Sequence, residues 1–347
     1  MSQTSRRRKR ATVVCIGGAN MDIKCRIAGR TVIGSSNPGT TVLSPGGVAR
    51  NIAHNLALLG VRTALVSAVG NDAFGAQLRA VTTAAGVDAR AVLRSAGATG
   101  SYCAMLDAKG ELIVAVAAMS LVEQLTPRRL AVQRVRLASA DLIVADSNLP
   151  MNTLDWLMGF AAERRLRLAI ETVSVRKGGR LKRLLEGGRP LYALFCNRAE
   201  AMALTGRTTL PAAARRLHER GVRNIAIGLG RCGMFVSDGE RHRTVPGFPA
   251  AIVDVTGAGD AAVAGTLYGL LRGDDLATAA RYGQAAAALT LACDQSVNPA
   301  LSERAIRRCV VGRTPSPWPS PASRERRLHR GVAPPEFPLP RSGRGPE

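Results

Sequence analysis

Short apolar runs alternate with stretches of helical periodicity along most of this chain. Thr12–Gly17 (TVVCIG) is an unbroken apolar run closed by glycine, the pattern of a fully buried strand. Val48–Leu59 (VARNIAHNLALL) then places apolar side chains at helical spacing, with Gly60 as a stop. Ala64–Val69, Asp141–Ala145, Leu166–Ile170 and Asn224–Ile227 predict further strands. Gln77–Ala85, Thr153–Arg165, Leu210–Arg220, Gly257–Arg272 and Leu276–Ala292 predict further helices. Such alternation predicts an α/β fold whose mainly parallel sheet is covered on both faces. Ligands then sit beyond the carboxyl ends of the strands. Two early stretches break the rhythm. Lys24–Leu43 and Tyr102–Val116 read as extended and hairpin-rich, with Asp107-Ala-Lys-Gly110 as a turn. They predict a small β-sheet standing off the main layers as a lid.

Composition adds limits. The chain has 347 residues and is 46% hydrophobic but only 3% aromatic, so Ala, Val and Leu must fill the core. No apolar run approaches the roughly 18 residues of a membrane span. No signal-peptide stretch precedes Gly17, and the expected location is the cytoplasm. The seven cysteines include no C-x-x-C pair, so neither a zinc site nor a disulfide framework is suggested. Reduced thiols fit that compartment.

The net charge of +23 first suggests a nucleic-acid or membrane partner. Its distribution weakens that reading. Residues 1–11 carry +5 and read as a disordered basic arm. Residues 312–347 carry +4 and nine of the 18 prolines, and read as a disordered Pro/Arg-rich tail. The folded unit is expected over 12–311, with +14 spread thinly across it.

Four segments carry candidate chemistry. Asp254-Val-Thr-Gly-Ala-Gly-Asp260 precedes an apolar helix. A Gly-Ala-Gly run opening a helix offers backbone N–H groups at the positive end of the helix dipole, an anion site. Asp260 in the first turn is placed to take a proton from an attacking hydroxyl. The same residues would also suit a plain capping loop. In Pro45-Gly-Gly-Val-Ala-Arg-Asn51, Gly46 and Gly47 allow close approach to the backbone, and Asn51 could bond a diol. A tight turn before a solvated helix is the alternative, and His54 there reads as structural. Gly17-Gly-Ala-Asn20-Met-Asp22 puts an acid after the first strand, to bind sugar hydroxyls or to form an Asx turn. In Asn197-Arg-Ala-Glu200, Glu200 could hold a hydrated Mg²⁺ near phosphates, or simply face water on a helix.

Together these segments resemble the ribokinase-like (PfkB) carbohydrate kinases over about residues 12–300, with PGGVARNIAHNLALLG and DVTGAGD in the family's order. Within that family the chain is most similar to the pseudouridine kinases. The shared segments are Ser36-Asn-Pro-Gly39, Ser101-Tyr102, Ile143-Val-Ala-Asp146-Ser-Asn148 and Lys177, and Ala262 stands where many sugar kinases have Phe. The resemblance implies a three-layer α/β/α domain with a β-sheet lid. It also implies ATP-dependent phosphorylation of a nucleoside 5′-hydroxyl. Asp260 would be the base, and Gly257, Ala258 and Gly259 the anion hole. Asp22, Gly46, Gly47 and Asn51 would hold the ribose with Asn20 nearby, and Ser36, Asn37 and Asn148 would contact nucleobase or ribose. Asn197 and Glu200 would serve ATP and a water-mediated Mg²⁺, and Gly228 and Gly230 would line the nucleotide. Asp254 and Thr256, with Asn298 close by, would build a monovalent-cation (K⁺) site. A lid strand with an open edge suggests a homodimer.

The chain departs from the subfamily at Ala117-Ala118 in the second lid strand, at Glu171-Thr172 and at Phe195-Cys196. Those departures keep a plain sugar, such as ribose, open as substrate. With the charge, they also keep open a non-catalytic regulatory or nucleic-acid-binding protein. No aromatic residues interleave with a basic patch, which argues against a stacking platform for nucleic acid.

Overall fold

The computed structural model describes residues 11–311. Residues 1–10 of the expected arm and the tail at 312–347 lie outside the described residues. The strands are β1 (Thr12–Ile16), β2 (Asn20–Ile27), β3 (Gly39–Gly46), β4 (Arg62–Gly70), β5 (Val92–Ser95), β6 (Ser101–Leu106) and β7 (Leu112–Ala118), followed by β8 (Leu142–Asp146), β9 (Leu168–Glu171), β10 (Leu191–Asn197), β11 (Val222–Gly228), β12 (Met234–Ser237) and β13 (His242–Val245). They form a main sheet of order β13-β12-β11-β10-β9-β8-β1-β4-β5 and a small sheet of order β3-β2-β6-β7. In the main sheet β11 through β5 run parallel, and β12 and β13 add an antiparallel edge.

Strand alternation divides the core between two faces. Val13, Cys15, Leu142 and Val144 pack on one face against the helices Val48–Leu58, Ala258–Arg272 and Leu276–Leu291. Val14, Ile16, Ile143 and Ala145 pack on the other, against the helices Met151–Arg164, Val175–Glu186, Arg198–Thr205 and Leu210–Glu219. This is the expected three-layer arrangement, and the small sheet is the expected lid. With few aromatics, close approach replaces bulk. Helices Ala258–Arg272 and Leu276–Leu291 meet where a Cβ on Gly265 would strike the Tyr282 backbone and one on Gly269 would strike Ala279. Among the described residues no helix is long and apolar enough to cross a membrane.

Some elements escape the periodicity. The helix Val175–Glu186 (VRKGGRLKRLLE) contains two adjacent glycines, which argue locally against helix. Gly178 is needed because a Cβ there would crowd Thr172 at 2.9 Å. Strands β5, β12 and β13 are only four residues each, too short to show a period.

Candidate active site

The site collects at the carboxyl ends of the parallel strands and beneath the lid. Its first support is Asp146, which ends β8 and is fully buried. One carboxylate oxygen accepts from the Gly18 and Ala49 N–H groups at 2.8 and 3.0 Å. The other accepts from the Asn148 N–H at 2.9 Å. The helix Val48–Leu58 starts at Gly47, at φ +97° and with no capping side chain of its own. Asp146 therefore caps it from another strand, where the helix dipole favours an anion. Burial pushes the Asp146 carboxyl up.

The residues expected to hold the sugar come from β2. Period two places Asn20, Asp22 and Lys24 on one face of that strand. Asn20 Nδ2 donates to Asp22 at 2.6 Å, and Ser296 Oγ donates to its second oxygen at 3.3 Å. Burial raises the Asp22 carboxyl against these bonds. A Cβ on Gly46 would overlap the Asp22 carboxylate, and one on Gly47 would meet Ala19 Cα at 2.6 Å. The glycine pair therefore lets the β3 end lie against β2.

The helix Ala258–Arg272 begins at Gly257, at φ +77° and again without a capping side chain. A Cβ on Gly257 would overlap the Ser296 carbonyl oxygen. The first-turn N–H groups, which have no intrahelical acceptor, are those of the expected anion hole. Asp260 lies in this turn, and its Oδ2 accepts from Asn51 Nδ2 at 2.7 Å. Desolvation pushes Asp260 up to about 7, and the negative charges of Asp146 and Asp22 add to this, while the Asn51 bond and the Arg50 charge oppose it. A carboxyl raised to about 7 changes protonation near neutrality, the range in which a general base works.

Arg50 is the largest fully buried side chain. It donates to the Gly46 and Pro45 carbonyls, both at 2.9 Å, and to Asn51 Oδ1. Burial lowers it to about 10, so it stays charged at neutral pH. Burial and the Arg50 charge press His54 down to about 4, leaving a neutral ring whose Nδ1 lies 3.2 Å from Arg50. That matches the structural reading of His54.

The residues expected beside the nucleotide stand at the ends of β10 and β11, where Asn197 pairs with Gly228. Asn197 and Glu200 form a reciprocal capping box on the helix Arg198–Thr205. Glu200 Oε2 accepts from Thr172 Oγ1 at 2.5 Å and from the Asn197 N–H at 2.8 Å. Its Oε1 accepts only from Asn197 Nδ2, at 2.7 Å, and keeps a lone pair for a water. Among the described residues no three His, Cys, Asp or Glu side chains are grouped to hold a metal directly. That free lone pair on Glu200 fits a water-mediated Mg²⁺. Beside it, burial and the nearby charges of Asp260, Glu200 and Asp146 push Glu171 well above the usual range. Glu171 also bonds the Val173 N–H at 2.7 Å, holding a β-branched residue at φ +64°. Gly230, at φ +59°, opens the short turn after β11.

Three expectations meet other partners. Asn37 bonds Val32 N, Val32 O and Ser35 O, closing its own loop, and Ser36 beside it is exposed. Asn298 is engaged by Leu289 O and Ala300 N. The Lys24 ammonium bonds both Asp254 and Thr256 Oγ1, the latter at 2.7 Å, so these side chains are not set around a free monovalent ion. Asn148 Oδ1 accepts from the Lys177 ammonium, and its Nδ2 lies beside Gly18. The residues that motif reading passed over are Lys24, Arg50, Asp146 and Glu171. Strand alternation from Asn20 and Asp22 pointed to Lys24. An arginine among the apolar positions of Val48–Leu58 pointed to Arg50. A hollow of about 680 Å³ between the helices Met151–Arg164 and Val175–Glu186 is lined by none of the motif residues.

Comparison with known proteins agrees with this layout. The profile of the pfkB family carbohydrate kinases matches residues 10–303. The chain is 34% identical to a pseudouridine kinase of Escherichia coli (strain K12), covering 85% of this chain and 95% of that protein. It is also 34% identical to an uncharacterized sugar kinase of the same strain, covering 83% of this chain and 80% of that protein. A solved carbohydrate kinase from Agrobacterium tumefaciens superposes with a TM-score of 0.76 at 31% identity, covering 87% of this chain and 97% of that one.

Proposed function

The chain belongs to the pfkB family of carbohydrate kinases, and from that premise we propose that it moves the γ-phosphoryl group of ATP to the 5′-hydroxyl of pseudouridine. That it is a phosphotransferase acting on a hydroxyl follows from the family itself. The observation that supports a joint sugar and phosphoryl site is the Asn51–Asp260 bond, while the choice of pseudouridine rests on the similarity to a pseudouridine kinase. That bond joins the two glycine loops, one on the sugar side and one at the helix end, across 209 positions of sequence.

In this reading Asp22, Asn20 and Asn51 hold the ribose, and Asp260 takes the 5′-hydroxyl proton. The 5′-oxygen forms a bond to the γ-phosphorus as the bond to the β,γ-bridging oxygen breaks, and ADP leaves with that electron pair. Charge on the transferring group is met by the N–H groups at Gly257, Ala258 and Gly259. Mg²⁺, held through water by Glu200, would neutralise phosphate charge when bound. Asn197, Gly228 and Gly230 border the phosphates, and the lid excludes competing water. Asn148, tethered to Lys177, faces the base.

A plain sugar kinase is the second reading. It is favoured by Ala117 and Ala118, which pair with Tyr102 and Ser101 and bring no polar group to that end of the lid. ADP release should be followed with pseudouridine, uridine, ribose and fructose. The highest kcat/KM for pseudouridine supports the nucleoside reading. Preference for ribose or fructose replaces it with the second.

A further inference from the structure

We infer that the Lys24 ammonium is a built-in monovalent cation, doing for the Asp254–Thr256 loop what a free K⁺ would otherwise do. Asp254 brings one negative charge to this loop. Asp254 Oδ1 already accepts from the Thr256 N–H at 2.8 Å, and its Oδ2 faces Lys24. The ammonium has the charge of K⁺ and three directed donors, two of which reach Asp254 and Thr256 Oγ1. Both Lys24 and Asp254 are largely shielded, with side chains 17% and 22% exposed, so solvent screening of the pair is weak.

The placement ties the charge to the chemistry. The backbone N–H groups of Val253 and Asp254 hang on Leu291 O, and Gly257 packs on Ser296 O. The loop is thus fixed from below by the 291–296 segment and from above by Lys24. The anion hole begins one residue after Thr256. Lys24 also lies on the same face of β2 as Asp22, so the strand that holds the sugar also charges the loop that receives the phosphoryl group.

The kinase reading matters to one arm of the test only. In the other, wild-type protein and Lys24→Ala are melted in KCl and in choline chloride at equal ionic strength, with no substrate present. The expected result is no K⁺-dependent shift for wild type and a rise in melting temperature with K⁺ for Lys24→Ala, by mass action on the emptied site. In turnover, wild type should be indifferent to K⁺. Lys24→Ala should lose about tenfold or more in choline and recover in KCl or NH₄Cl, a coupling of ordinary size. Wild-type protein that is activated or stabilised by K⁺ overturns the inference, and this measurement needs no variant. So does Lys24→Ala that matches wild type in choline, or that loses activity without recovery by either cation.

Discussion

Asp260 owes its proton affinity to the company it keeps, which sets the pH dependence of the site. With the carboxyl raised to about 7 by desolvation, kcat/KM should climb as pH rises through about 7, because the base must be ionised. Asn51 donates to the ionised form and lowers that value. Asn51→Ala should therefore move the inflection to higher pH, and a pH–rate profile that does not move would contradict the assignment. Asp260→Asn should cost about 10³-fold or more in kcat while leaving the fold intact. The linkage has a definite sign. A carboxyl whose folded-state pKa is raised costs stability as pH rises above its ordinary value, and the cost is complete above about 7. Asp260→Asn should thus raise the melting temperature at pH 8, and the gain should vanish below the ordinary carboxylate range. Melting curves at both pH values check it. Asp260, Asn51 and Asp22 were legible in the sequence because each sits in a glycine-rich signature whose chemistry is local. Asp146 and Lys24 were not. Gly18 and Ala49 lie 128 and 97 positions from Asp146, and Asp254 and Thr256 lie 230 and 232 from Lys24, so only the folded sheet brings them together.

Strands β1, β4, β8, β9 and β11 and the longer helices could be read from their periods, with ends that differ by a few residues, whereas the central strand β10 was not anticipated. The helix pair Ala258–Arg272 and Leu276–Leu291 shows what periodicity cannot tell. Both are alanine-rich on every side, yet Gly265, Gly269 and Gly283 define a seam where the backbones touch. A Cβ on Gly283 would overlap Thr266 Oγ1 and crowd Ala262 O. Gly283→Val should therefore destabilise the protein by about 1–3 kcal/mol through overpacking. Gly159, with nothing near its Cβ position, is the control, and Gly159→Ala should be neutral or slightly stabilising. Chemical denaturation of the two variants checks the contrast. The lid was legible as extended chain, but its order was not. β2 pairs antiparallel with β3 and parallel with β6, a register that depends on contacts between distant segments.

At the scale of the whole molecule, the lid presents an apolar stripe. Leu112, Val114 and Val116 on β7 are more than half exposed, and Met105 lies opposite Val114. An exposed sheet with open edges is a candidate for pairing with a second copy. Val114→Glu should therefore give a monomer by light scattering if the expected homodimer forms there, and an unchanged mass would exclude this face. The net charge of +23 pointed first to a polymer of nucleotides. The site instead gathers five carboxylates at the carboxyl ends of the strands, Asp22, Asp146 and Glu200 buried and Glu171 and Asp260 half-buried. The most direct test of that account is ³¹P NMR of a reaction containing protein, ATP, Mg²⁺ and pseudouridine. The account predicts a phosphomonoester resonance coupled to the 5′-methylene protons, growing with wild-type protein and absent with Asp260→Asn. Phosphate on another hydroxyl, free phosphate alone, or an undiminished product from Asp260→Asn would contradict it.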